Sequence, residues 1–236
     1  MNQIYLMDCI KGMKLLLDES VDMILCDLPY GTTKNIWDTI IPFPSLWEQY
    51  ERIIKENGAI ILTANSYFTN LIANSNLKLY RYKWIWVKNN ATNPFNAKNK
   101  PMSQFEEILV FSKGKTANGG IPKMNYFPQG LVRTSKAKRE KQEQKYENHP
   151  RDVLYFKRDP TSFHPTQKPV ALFEYLIRTY TRQGDIVLDN CMGSGTTAIA
   201  CINTQRQYIG FETNEKYYKK SLERIENNTT QLQLFC

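Results

Sequence analysis

Seven short apolar runs alternate along this chain with stretches of helical period, and that alternation limits the folds open to it. Residues 4–7, 21–28 (VDMILCDL), 58–64 (GAIILTA), 82–87 (YKWIWV), 107–111 (EILVF), 185–189 (DIVLD) and 207–211 (QYIGF) read as strands. Helical patterns at 11–17, 46–55, 68–74, 170–179, 196–202 and 214–227 lie between them. Strands alternating with helices specify an α/β domain, a doubly wound and mostly parallel sheet covered by helices on both faces. The chain's 236 residues suffice for one such domain carrying an insert. Residues 89–160 form that insert: they break the alternation, are rich in Asn, Lys, Gly and Pro, and hold one core strand at about 105–113. The expected divisions are thus 1–88, 89–160, 161–228 and a polar tail, 229–236, read as frayed.

Composition excludes several classes. Apolar residues at 42% and charged residues at 23% exclude wholesale disorder. No apolar run approaches the roughly 20 residues that span a bilayer, so no membrane partner is expected. The opening MNQIYLMDCIKGMKLLL lacks a basic leader and a cleavage site. Five scattered cysteines without a CxxC pair, with only two histidines, argue against structural zinc and for reduced thiols in a cytoplasmic protein. Lys+Arg outnumber Asp+Glu by 31 to 23, a net charge of +8 that favours a polyanionic partner without specifying it. Much of the excess lies in 133–158, where Lys136, Lys138, Arg139 and Lys141 are the candidate phosphate contacts. A solvated helical face or loop is the ordinary alternative for such a run.

Three constellations carry chemistry. In the first, Asp189 ends a strand and Asn190, Cys191, Met192, Gly193, Ser194, Gly195, Thr196 and Thr197 turn into a helix. Glycines let a backbone approach a ligand closely, and a helix N-terminus offers free N–H groups. The turn has neither the Lys of a P-loop nor the G-x-G-x-x-G of dinucleotide folds, so alone its default reading is an ordinary tight strand-to-helix turn. Glu212 follows about 20 residues later, at the tip of the next strand, where doubly wound folds grip a ribose diol; capping the following helix is its ordinary alternative. The second constellation is Asp27, Leu28, Pro29, Tyr30 and Gly31, at the carboxyl end of a buried strand. There a carboxylate, a rigid proline and an aromatic ring can hold a planar polar group, although an isolated D-x-P-Y-G is also a plain β-turn. The third is HPTQKP at 164–169, in which Thr166 and Lys168 would close over one end of a cofactor. A helix entry with Pro in its first turn is the structural alternative.

Taken in order, DLPYG, HPTQKP, LDNCMGSGTT and YIGFE resemble the amino-methyltransferases that modify DNA bases with S-adenosylmethionine. The catalytic motif precedes the cofactor glycines, as in the circularly permuted β group. The resemblance covers about residues 2–113 and 150–228. Two positions depart from the family pattern: Leu28 stands where proline is usual, and Asn190-Cys191 where an aromatic often follows the acid.

The resemblance implies a seven-stranded Rossmann-like methyltransferase sheet, circularly permuted, with an irregular target-recognition insert. Residues 1–88 would be its catalytic half and 161–228 its cofactor-binding half. It also implies transfer of a methyl group from S-adenosylmethionine, leaving S-adenosylhomocysteine, to the N6 of an adenine flipped out of double-stranded DNA; cytosine N4 and a catalytically weak DNA-binding relative are the alternatives. Asp27, Leu28, Pro29 and Tyr30 would be catalytic. Asp8, Cys9, Asp27, Thr166, Lys168, Asp189, Gly193, Ser194, Gly195, Thr196, Thr197 and Glu212 would hold the cofactor, and no metal is required. A homodimer, a cognate restriction endonuclease and a bacterial or phage origin are the associations it admits. The permutation also predicts that the helix at 214–227 packs beside the strand at 4–7.

Overall fold

The structure, a computed structural model, describes residues 2–32, 38–92, 94–133, 146–159 and 167–234. In chain order its elements are β1 (Asn2–Leu6), α1 (Cys9–Met13), β2 (Val21–Cys26), α2 (Phe43–Ile53), β3 (Ile54–Ala64), α3 (Tyr67–Ser75), β4 (Tyr80–Thr92), β5 (Ser103–Phe111), β6 (Val132–Arg133), β7 (Tyr146–Glu147), β8 (Val153–Tyr155), α4 (Val170–Tyr180), β9 (Ile186–Asp189), α5 (Thr196–Asn203), β10 (Gln207–Glu212) and α6 (Glu215–Leu234). All seven apolar runs become strands of one sheet, ordered β1-β10-β9-β2-β3-β5-β4-β8. An eighth strand, β8, comes from the insert and pairs in parallel with β4, so the sheet is one strand wider than expected. Only β5 runs antiparallel to its neighbours, β3 and β4.

Every residue of β2 is buried, which a continuous apolar run requires of a strand covered on both sides. One core lies between the sheet and α4, α5 and α6; it includes Met23, Leu25, Trp86, Leu176, Ile199 and Ile225. The other lies under α1, α2 and α3 and includes Ile24, Met13, Tyr50 and Phe68. β1 pairs with β10, and α6 packs against β1, as the permutation predicts. No helix among the described residues is long and apolar enough to cross a membrane.

Local chemistry moved several boundaries. Asp8 accepts a hydrogen bond from Lys11 N–H at 2.9 Å and so starts α1 at Cys9, two residues before the expected helix. The helix stops at Met13, leaving Leu15 and Leu17 exposed. Residues 89–92, expected to begin the insert, instead continue β4 because its backbone pairs with β5 up to Ser103. The tail read as frayed from 229 continues α6 to Leu234.

Candidate active site

Chain connections run in opposite directions from the adjacent strands β2 and β9, which creates a crevice at their carboxyl ends. The tips of those strands carry Asp27 and Asp189. Both line one cavity of about 490 Å³, within the usual range for a small-molecule site. The Asp27, Leu28, Pro29 and Tyr30 turn and the Gly193, Ser194, Thr196 and Thr197 turn therefore open onto the same space.

Strand alternation sets the Asp27 wall. Asp27, Thr63, Lys88 and Glu106 fall in phase with Leu25, Ile61, Trp86 and Ile108, the residues of four strands that face α4 and α5. That phase brings the four side chains together above the apolar core. Asp27 Oδ1 accepts from the Tyr30 hydroxyl at 2.8 Å and from the Thr63 hydroxyl. Lys168 Nζ lies 2.7 Å from Asp27 Oδ2 and 3.3 Å from Glu106 Oε2. Lys88 Nζ lies 3.3 Å from the other oxygen of Glu106. Two carboxylates and two ammonium groups thus form a cluster with no net charge. Burial pushes the Lys168 ammonium down, but Asp27 and Glu106 outweigh it and hold the group above the ordinary lysine value. Burial likewise opposes ionisation of Glu106, and Lys168 and Lys88 overcome it to hold the carboxyl low. For Lys88 burial wins and the pKa falls. Burial, reinforced by Asp27, raises the Tyr30 phenol far above its usual value, so it remains a donor.

Around these groups the turn is fixed. Gly31 takes a positive φ of 66°, and Asp38 accepts from the N–H groups of Gly31 and Thr32, each at 2.9 Å. One face of the Tyr30 ring stacks on Phe68, with centroids 4.8 Å apart.

The opposite wall is a network of short-range bonds. Asp189 accepts from Cys191 N–H at 3.0 Å and from the Thr197 hydroxyl at 2.5 Å. These bonds fasten the turn to the first residues of α5. Burial raises the Asp189 carboxyl from 3.8 to about 6, with both bonds opposing the rise. Gly193 and Gly195 have positive φ values of 51° and 76°, conformations that glycine adopts without penalty. Glu212 Oε2 accepts from Gly193 N–H at 2.8 Å and Oε1 from Asn214 N–H at 2.7 Å. Asn214 itself caps α6 by accepting from Tyr217 N–H at 3.1 Å. Each Glu212 oxygen therefore has a lone pair left for a ligand hydroxyl. From α6, Arg224 donates to Ser194 O at 2.9 Å and reaches Asp159 at 3.3 Å, tying the glycine turn to the end of the insert.

Lys168 joins the two walls. Its ammonium serves Asp27, while its backbone carbonyl accepts from the Thr196 hydroxyl at 3.3 Å. Asp8 and Cys9 line the cavity with Cys191. Among the described residues Cys9, Cys26, Cys191 and Cys201 are free thiols, and burial pushes Cys26 up to about 12. Thr166, Lys136, Lys138, Arg139 and Lys141 lie outside the described residues. The sequence reading missed Thr63, Lys88, Glu106 and Asp38. For Lys88 and Glu106 a signal existed: each is a charged residue in the buried phase of an aromatic or β-branched strand.

The donor set fits S-adenosylmethionine. Asp8, Asp27, Asp189 and Glu212 make the cavity rich in carboxylates, which suits a sulfonium cation, and Glu212 offers acceptors to a diol.

The family model described as DNA methylase, for N6 and N4 methyltransferases, matches residues 21–223. The DNA adenine methyltransferase YhdJ of Escherichia coli K12 is 32% identical over 93% of this chain and 81% of its own length. The type II methyltransferase M.HpaI of Haemophilus parainfluenzae is 29% identical over 93% of this chain and 73% of its own. Among solved structures, the M1.HpyAVI–SAM complex is 27% identical, with a TM-score of 0.65 over 95% of this chain and all of that one. The cytosine-N4-specific PvuII DNA methyltransferase shares the fold at a TM-score of 0.74 and 15% identity.

Proposed function

This chain belongs to the N6/N4 DNA methylase family and is an S-adenosylmethionine-dependent DNA amino-methyltransferase; we propose that its target is N6 of an adenine flipped out of duplex DNA, with Asp27 as the residue that receives the amine. One observation carries this reading: the Asp27 turn and the glycine turn share a single cavity, so one donor bound at the second reaches an amine held at the first.

Bound S-adenosylmethionine supplies an electrophilic methyl group; Glu212, Asp8 and the turn at 193–197 would hold it. An amine inside the base stack cannot line up with that group, so the base must leave the helix. Its NH2 would donate to the Asp27 carboxylate and to the Leu28 backbone carbonyl. Those bonds turn the nitrogen lone pair away from the ring and toward the donor, and Asp27 stabilises the positive charge that grows on nitrogen. Because position 28 acts through its backbone, leucine serves there as well as proline.

Tyr30 presents its phenol as a hydrogen-bond donor to Asp27, and Thr63 donates to the same oxygen. Lys168 holds the other oxygen, so the carboxylate is aimed before the base arrives. A full positive partner would also weaken Asp27 as an acceptor. Glu106 shares the Lys168 charge and moderates that effect.

The Asp of the first motif resembles the adenine enzymes, and the relative named as an adenine methyltransferase supports the same choice. The insert, 89–160, would recognise the sequence around the target, with Lys136, Lys138, Arg139 and Lys141 on phosphates. Incubation with DNA and isotopically labelled donor, followed by nucleoside mass spectrometry, tests the target: label in N6-methyladenine is expected, and label in N4-methylcytosine would replace this reading with the cytosine one.

A further inference from the structure

The hairpin of β4 and β5 outruns the sheet. Glu107 of β5 pairs with Ala64, the last residue of β3, yet β5 begins at Ser103, opposite Thr92 of β4. At about 3.4 Å per residue the hairpin overhangs the carboxyl edge by roughly 13 Å before its turn begins. The cavity opens at that edge: Glu106 of the same hairpin lines it.

The tip is a built turn. Ala97 N–H donates to Pro94 O at 3.0 Å, and Asn99 and Lys100 N–H both donate to Asn96 O, at 2.9 and 3.0 Å. In this turn Phe95 is 97% exposed, more than any other large apolar side chain among the described residues. The turn itself carries charge of one sign. Residues 94–100 include Lys98 and Lys100, both exposed, and no Asp or Glu. An exposed apolar ring with two lysines in the same turn, on a hairpin projecting from the edge where the cavity opens, matches a polyanion that has stacked aromatic faces.

We infer that Phe95 is a wedge: it enters the base stack of duplex DNA next to the target and fills the space the extruded base leaves. Lys98 and Lys100 seat the tip on flanking phosphates. The inference rests on the DNA methyltransferase reading and assigns to a residue of this chain the work of keeping the duplex open.

Negative supercoiling supplies the same local unwinding that a wedge would. The test therefore compares methyl transfer to relaxed and negatively supercoiled circles of one plasmid. Phe95→Ala should lower kcat about tenfold on relaxed circles and clearly less on supercoiled ones, with Phe95→Leu keeping most of the activity. Thermal melting and S-adenosylmethionine affinity should match wild type, because the ring touches neither core nor cavity. Equal loss on both circles, or activity within about twofold of wild type on both, would overturn the wedge. Absence of transfer by the wild-type enzyme on either circle would instead defeat the methyltransferase reading itself, and the wedge with it.

Discussion

The two walls of the cavity are held by different means. Around Asp189 the partners are near in sequence: Cys191 two residues on, Thr197 eight residues on, and Glu212 reaching back 19 residues to Gly193. Around Asp27 they are remote: Thr63 is 36 residues away and Lys168 is 141. The first wall is closed mainly by bonds within 19 residues, with Tyr50 and Arg224 reaching its turn from α2 and α6. The second exists only once four strands and the entry to α4 have assembled. The first is built from neutral donors to carboxylates, the second from ion pairs, so damage should be read in different quantities on the two sides.

The largest effect is expected at the ion-paired wall. Asp27→Ala should lower kcat for methyl transfer by about a thousandfold, the scale of losing a group aimed at developing charge. Cofactor affinity, measured by calorimetry, should fall far less than kcat, because Glu212 and the glycine turn that would hold most of the donor are untouched. Near-normal turnover would break the distinction between the walls.

Lys168→Met comes next. It leaves Asp27 and Glu106 facing each other without their shared cation, and denaturant titration at neutral pH should show a loss of about 3 kcal/mol. The sign with pH follows. Glu106 is held below the ordinary carboxylate value, so its pairing stabilises the fold above that value and fades as pH falls through the lowered one. In the variant only Lys88 still supports the ionised carboxyl, so Glu106 takes up a proton more readily. The deficit should therefore shrink as pH falls; a deficit independent of pH would show that Lys168 contributes packing alone.

Asp189 should behave in the opposite sense. Its folded value of about 6 lies above 3.8, so between those values the folded chain holds more protons than the unfolded one. Stability due to this group falls as pH rises through that window, by on the order of 3 kcal/mol at full ionisation. Relative to Asp189→Asn, the wild-type chain should lose stability from pH 4 to pH 7. Parallel curves for the two proteins would place the cost of that wall elsewhere.

The smallest effect is expected at Glu212. Glu212→Gln keeps one acceptor oxygen and removes the charge, so S-adenosylmethionine should bind about tenfold more weakly. With saturating cofactor, kcat should change little. A kcat loss matching that of Asp27→Ala would merge the two walls into one functional unit.

The same contrast explains what the sequence reveals. Residues 189–197 and Glu212 form a compact motif because their hydrogen bonds are local, and the seven apolar runs announce the sheet because central strands buried on both faces must be apolar. Lys88 and Glu106 leave a fainter mark. Each is a single charge at the end of an apolar strand, and its meaning depends on two strands pairing so that both point into the same core face. Lys168 is visible within HPTQKP, but its partner at residue 27 becomes evident only in three dimensions. Asp38 is recognisable only after the Gly31 turn folds back onto it. The eighth strand, β8, is too short and too exposed at two of its three positions to stand out against its surroundings.

The central claim is that a donor held by the glycine wall faces an acceptor held by Asp27. A crystal structure with S-adenosylhomocysteine bound tests it most directly. The account predicts the ribose hydroxyls on Glu212 and the sulfur turned toward Asp27 across the cavity. A ligand seated elsewhere, or one whose sulfur points away from Asp27, would contradict it.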